Sequence, residues 1–154
     1  RHRMISVFVL ARRLGLDVGW AYVAQAAAGI TAAVFVARSW LRDDAPDIRN
    51  ALMILGTCLA TPYLQDYDFV MGAFVVVWLQ AAGRGSGSGL TPRSLQIACA
   101  GILLLPLFNG SFSLMTGIAI GPFVIAPVFA LVLMMARRSA IASPERRAIM
   151  RCRH

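Results

Sequence analysis

The chain has 154 residues, of which 58% are hydrophobic and 14% charged, and its mean hydropathy is +0.69. An ordinary soluble domain carries roughly a quarter charged residues, so a polar-coated globule fits this composition poorly. The net charge of +8 comes from arginine alone, and Arg38, Arg42, Arg49, Arg84, Arg93, Arg137 and Arg138 sit at or near the ends of apolar runs. That is where topology-setting charges lie in membrane proteins, not where a phosphate-reading face would be built, and no nucleic-acid partner is expected.

In chain order, residues 5–14 form a short apolar stretch ending in Arg12 and Arg13. It is too short to cross a bilayer and is expected as a helix lying at the interface. Residues 18–40 follow, apolar but for Gln25, Thr31, Arg38 and Ser39. A helix of this length covers the ~30 Å hydrocarbon core, with Trp20, Tyr22 and Trp40 near its ends as an aromatic belt. Gln25 is expected to make an interhelical hydrogen bond. Residues 42–50 mix five charges around Pro46 and are expected as a solvated loop. Residues 51–61 are apolar until Pro62, which stops or kinks a helix. Residues 69–83 are apolar again, and Gly83–Gly89 (GRGSGSG) is a flexible loop by composition.

Residues 94–108 make a further span, expected to close at Pro106 and the polar turn Asn109-Gly110-Ser111. Residues 117–136 make the last, with Pro122 and Pro127 tolerated because neighbouring helices satisfy the freed carbonyls. Its Gly117-Ile-Ala-Ile-Gly121 start has the small-xxx-small spacing of close helix packing. Residues 143–154 are expected as a short basic helix starting at Ser143-Pro144-Glu145, either a solvated cytoplasmic tail or a contact for anionic headgroups. The fold class expected is therefore all-α, a polytopic transmembrane helical bundle with about five membrane segments. Six arginines between Arg137 and Arg153 place the carboxy terminus in the cytoplasm. With residues 51–61 and 69–83 as two antiparallel segments, which fit the charges better than one kinked helix over 51–83, parity puts the Pro62–Asp68 turn and Arg12–Arg13 on the outer side. Cys58 and Cys99 lie in apolar runs and Cys152 in the tail, with no metal or redox pairing. The opening Arg-His-Arg leads to the expectation of a longer protein upstream.

The chemistry-bearing constellation is Pro62, Tyr63, Gln65, Asp66, Tyr67 and Asp68, between two apolar segments. A carboxylate immersed near a bilayer costs several kcal/mol, which favours a functional role. Asp68 just before Phe69 is equally placed to cap the next helix. The string LATPYLQDYDFVM resembles the PY…YD signature of glycosyltransferase family 87, the polyprenyl-phosphate-mannose-dependent, type C membrane mannosyltransferases. SVFVLARRLGLDVGWAYVAQA (Ser6 to Ala26) is similar to that family's interfacial helix and following span, and GILLLPLFNG with GIAIGPFVIAPVFALVLMMARR to its last two spans.

The resemblance implies a multi-span fold in the cell membrane, a polyprenyl-phosphate sugar donor, a glycan or glycolipid acceptor, and chemistry on the extracytoplasmic side without metal or cofactor. It implies that Tyr63, Tyr67, Asp68 and Asp66 lie near the donor, while the family's catalytic base belongs to an amino-terminal outer loop with no counterpart here. Arg12 and Arg13 are candidates for the donor phosphate, against membrane anchoring by snorkelling. Two other classes remain open: a polytopic transporter, whose broken helices also carry polar turns, and a non-catalytic membrane assembly subunit.

Overall fold

The computed structural model describes residues 6–64, 68–84, 92–116 and 120–151, and for some of these, Asp68 and residues 139–151 among them, the backbone alone. Six α-helices follow one another: α1 (Val7–Arg13), α2 (Val18–Leu41), α3 (Pro46–Ala60), α4 (Gly72–Arg84), α5 (Pro92–Thr116) and α6 (Gly121–Arg151), with a 3₁₀ turn over Asp68–Met71 before α4. No strand occurs among the described residues. The chain is all-α, as its composition predicts.

Two stretches, Val18–Leu41 and Gly121–Arg138, are long and apolar enough to cross a membrane, each with a mean hydropathy of 1.5. The apolar part of α5 (Arg93–Asn109) is shorter. Helix α3 has 15 residues and α4 has 13, about 22 and 20 Å of axis, less than a full hydrocarbon core. The five apolar helices thus occur in the expected order, but among the described residues only two have the length and hydropathy of a span.

Their bounds differ from the sequence expectation in four places. Helix α3 begins at Pro46, so the solvated loop shrinks to residues 42–45. Proline at the first position and Asp47 in the first turn start a helix there. Helix α4 begins at Gly72, not Phe69, because the 3₁₀ turn precedes it. Helix α5 passes through Pro106 and Asn109 to Thr116, where a turn is expected. Asn109 is fully buried although Leu107 and Phe108 beside it are exposed, and within a helix its backbone donor and acceptor are satisfied without solvent. Helix α6 likewise continues through Ser143-Pro144-Glu145 to Arg151, so the basic segment is its continuation and not a separate helix. Gly117, Ile118 and Ala119 of the small-xxx-small pattern lie outside the described residues.

Helix α3 is the hub. Its Leu52 and Leu55 are fully buried, as are Val75 of α4, Ile102 of α5 and Val132 of α6. Helix α2 packs antiparallel to α3: a Cβ built on Gly29 would lie 3.4 Å from Ala60 Cα, and one on Gly56 would lie 2.9 Å from Val36 Cγ2. That second distance is shorter than real Cβ contacts show, so a side chain at Gly56 would require the Val36 methyl to move. Helix α6 also packs antiparallel to α3, and Phe129 approaches the same glycine.

Helix α2 is inverted relative to a soluble amphipathic helix. Its buried residues are Ala21, Gln25, Ala32 and Ser39, a helically spaced stripe of small and polar side chains. Its large apolar residues Trp20, Val23, Ile30, Val34 and Leu41 are exposed, and only 17% of its apolar window is buried, against 44% for α6.

Candidate functional site at the end of the bundle that carries α1

Helix α1 is short, and local chemistry defines both of its ends. Ser6 is buried and its Oγ accepts from Val9 N–H at 3.3 Å, an N-cap. At the other end Gly15 has φ +89°. Its N–H donates to Arg12 C=O (3.3 Å) while Leu16 N–H donates to Ala11 C=O (3.2 Å), the paired bonds of a Schellman stop. Asp17 then caps α2, its carboxylate accepting from Gly19 N–H at 3.1 Å. Backbone N–H donors of Gly19 and Val18 hold that carboxyl below the usual carboxylate range.

Gln25 joins three helices. It is 4% exposed; its Oε1 accepts from Phe8 N–H (2.9 Å) and its Nε2 donates to Leu59 C=O (2.8 Å). The first group is an unpaired donor of α1's opening turn and the second an acceptor of α3's closing turn. Thr61 Oγ1 donates to Thr57 C=O at 2.7 Å and Thr57 Oγ1 to Met53 C=O at 2.8 Å. Of the closing carbonyls of α3, those of Thr57 and Leu59 are therefore satisfied from within the chain, ahead of Pro62, which has no N–H to offer.

Above this junction sit three rings. Phe8 and Tyr22 lie 4.7 Å apart between centroids, Phe8 and Tyr63 6.2 Å, and the Tyr22 and Tyr63 hydroxyls share a hydrogen bond of 3.0 Å. Both tyrosines are about half exposed. The bond with Tyr22, then the proximity of the two phenols, raises the Tyr63 pKa above the ordinary phenol value. Arg12 is exposed and donates through Nη1 to Leu16 C=O at 2.8 Å, which leaves most of its five N–H donors for another acceptor. Arg13 is half-buried on the same helix and is already engaged.

The structure thus brings Tyr63 of the proline-tyrosine turn to α1, the helix that carries Arg12 and Arg13. Asp68 opens the 3₁₀ turn instead of standing before an α-helix as its cap. Gln65, Asp66 and Tyr67 lie outside the described residues, as does the side chain of Asp68. Sequence reasoning assigned Tyr22 to an aromatic belt and gave Phe8 no role. Their partnership with Tyr63 spans 41 residues of chain and has no local signal. Cys58 and Cys99 are buried. Among the described residues no three His, Cys, Asp or Glu side chains gather as a metal site would require.

Comparison with known proteins returns no match among family models, curated proteins or solved structures.

Proposed function

We propose that this chain belongs to a multi-pass membrane glycosyltransferase that moves a sugar, in the first instance mannose, from a polyprenyl-phosphate donor to a glycan or glycolipid acceptor outside the cytoplasm. The observation that carries the reading is the Pro62–Tyr63 turn: its phenol is held by Tyr22 beside the arginine-bearing α1. Around it stands a helix whose large apolar side chains face outward while small and polar ones face inward. Lipid removes the hydrophobic drive between helices, so small residues and hydrogen bonds make the contacts; water would demand the reverse arrangement.

In this reading α1 lies in the outer headgroup layer and the Arg38–Arg42 end of α2 faces the cytoplasm. The lipid-borne phosphate approaches along α1, where Arg12 offers donors to its oxygens. The acceptor hydroxyl attacks the anomeric carbon, a carboxylate base takes the hydroxyl proton, and the glycosyl–oxygen bond breaks with its electrons going to the polyprenyl phosphate. The resemblance to the PY…YD signature assigns Tyr63, Tyr67, Asp66 and Asp68 to the sugar donor.

Two measurements test this. Single cysteines replacing Leu16 and Leu41, in a background without other cysteines, should react with an impermeant thiol reagent from opposite faces of membrane vesicles. Reaction of both from one face rejects the topology. Asp68→Asn and Asp68→Ser in the native membrane-embedded protein should accumulate normally yet transfer labelled sugar about a hundredfold more slowly, a loss of roughly 2.7 kcal/mol in transition-state stabilisation. Both substitutes are good helix caps, so undiminished transfer by both would remove Asp68 from the active site.

A further inference from the structure

At the opposite end of the bundle, α2 and α6 separate. They touch through Phe35 and Phe129, whose rings meet edge to face with centroids 6.4 Å apart. Beyond that contact lies a cavity of about 270 Å³ lined by Phe35, Arg38, Ser39, Arg42, Asp44, Leu133, Ala136 and Arg137. Three arginines therefore line one recess, and all three are exposed. Arg38 and Arg42 stand one turn apart on α2, a spacing at which like charges repel, and Arg137 belongs to α6. Among the described residues none of the three has a hydrogen-bond or ion-pair partner for its side chain.

Of the two carboxylates of the adjoining loop, Asp43 is paired outside the recess and Asp44 lines it. Asp43 pairs with Arg49 at 2.8 Å, and Arg49 also lies over the Trp40 ring, 4.8 Å from its centroid. Asp44, 8% exposed, accepts from Ser39 Oγ at 2.8 Å. The C-terminal dipole of α2 accounts for cations at Arg38 and Arg42 but not for Arg137, which sits well inside α6. With Asp44 counted, the lining carries two net positive charges in a recess whose floor is apolar.

We propose that this recess binds a phosphate group, held by Arg38, Arg42 and Arg137 and reached from the face of the bundle opposite α1. Guanidinium forks match phosphate oxygens two at a time, and the volume holds a phosphate with a small polar substituent. The same chemistry is offered by an anionic lipid headgroup and by a soluble phosphate. The site does not depend on the transferase reading, since none of its residues belongs to the α1 end.

The test uses the intact protein and two probes. Inorganic phosphate is titrated into protein held in neutral detergent, and phosphatidylglycerol is offered in phosphatidylcholine vesicles; unfolding temperature is the readout, because a ligand of the native state raises it saturably. A rise with inorganic phosphate assigns the soluble source, and a rise with phosphatidylglycerol alone assigns the headgroup. Arg42→Gln and Arg137→Gln should each weaken the effective probe about tenfold, the loss of one charge-assisted bond. Asp44→Asn keeps an acceptor for Ser39 Oγ and removes the recess's carboxylate, so it should tighten binding. That reversal of sign separates anion binding from a structural role, and it stands even if the arginine variants fail to accumulate. No rise with either probe, an equal response of the arginine variants, or unchanged or weaker binding by Asp44→Asn would overturn the proposal.

Discussion

The corners before and after α2 are turned by the same backbone device, which ends α1 at one and α2 at the other, with different residues. Where α1 turns into α2, Gly15 takes the left-handed position; where α2 turns into α3, Asp43 takes it, with φ +54°. In both, the residue after the turn reaches back five positions: Leu16 N–H to Ala11 C=O and Asp44 N–H to Ser39 C=O, each 3.2 Å. The glycine corner leads to a junction of neutral groups, Gln25, Phe8, Tyr22 and Tyr63. The aspartate corner sets two carboxylates among arginines, one paired with Arg49 and one hydrogen-bonded by Ser39. One backbone motif therefore serves a junction knit by neutral hydrogen bonds and a junction organised by charge. What distinguishes them is the side chain at each turn and its neighbours from other helices.

The largest effect should come from Gln25, which holds the neutral end together. Gln25→Leu leaves a part-buried Phe8 N–H and a buried Leu59 C=O without a partner, costing about 2–6 kcal/mol at roughly 1–3 kcal/mol per unsatisfied group. Thermal unfolding in detergent should show the loss, and hydrogen exchange should show α1 opening ahead of the rest. If α1 stays protected, packing of Phe8 and not the amide holds the corner.

A smaller effect is expected at Asp43. A β-branched residue tolerates the left-handed region poorly, so Asp43→Val should cost about 1–3 kcal/mol. Asp43→Gly should be close to neutral, because the released strain offsets an exposed ion pair worth less than about 1 kcal/mol. Equal destabilisation by both variants, read from unfolding midpoints, would mean that the Arg49 pair and not the backbone governs this corner.

The smallest effect is a titration. Tyr63 has a raised folded-state pKa, so its bond with Tyr22 contributes fully below the ordinary phenol value of about 10 and is lost as pH rises through the raised value. Tyr22→Phe should return the Tyr63 phenol toward the ordinary range in an ultraviolet titration, with little change in stability at neutral pH. An unmoved Tyr63 titration would show that the two hydroxyls are not bonded in solution.

Much of the helical order is legible in the residues. Apolar runs and the breaks at Gly15 and Pro62 predict where helices fall, because glycine and proline act locally on the backbone. Of the GRGSGSG segment, Gly83 and Arg84 belong to α4 and the rest lies outside the described residues. Ala45-Pro46-Asp47 also carried a readable start signal, proline at the first position with an acid behind it, yet the surrounding charges pointed to a loop. Asn109-Gly110-Ser111 misleads for the opposite reason. Its residues favour turns when exposed, but Asn109 is buried, which nothing in its own stretch of sequence announces. At the candidate site, Tyr63 and the arginines of α1 could be singled out from sequence, whereas Phe8 and Tyr22 as their neighbours could not.

By itself the sequence determined the all-helical class, the apolar runs and the arginines at their ends, since hydropathy and local backbone preference need only neighbouring residues. Tertiary structure alone decided that α2 turns its small and polar stripe inward, that Gln25 ties α1 to α3, and that Arg137 joins Arg38 and Arg42 around one recess. Those pairings span from 17 to 34 residues at Gln25 and far more between α2 and α6. Contacts of that kind are selected by the joint packing of several helices, in which a stripe's direction is set by what lies against it and not by its own composition.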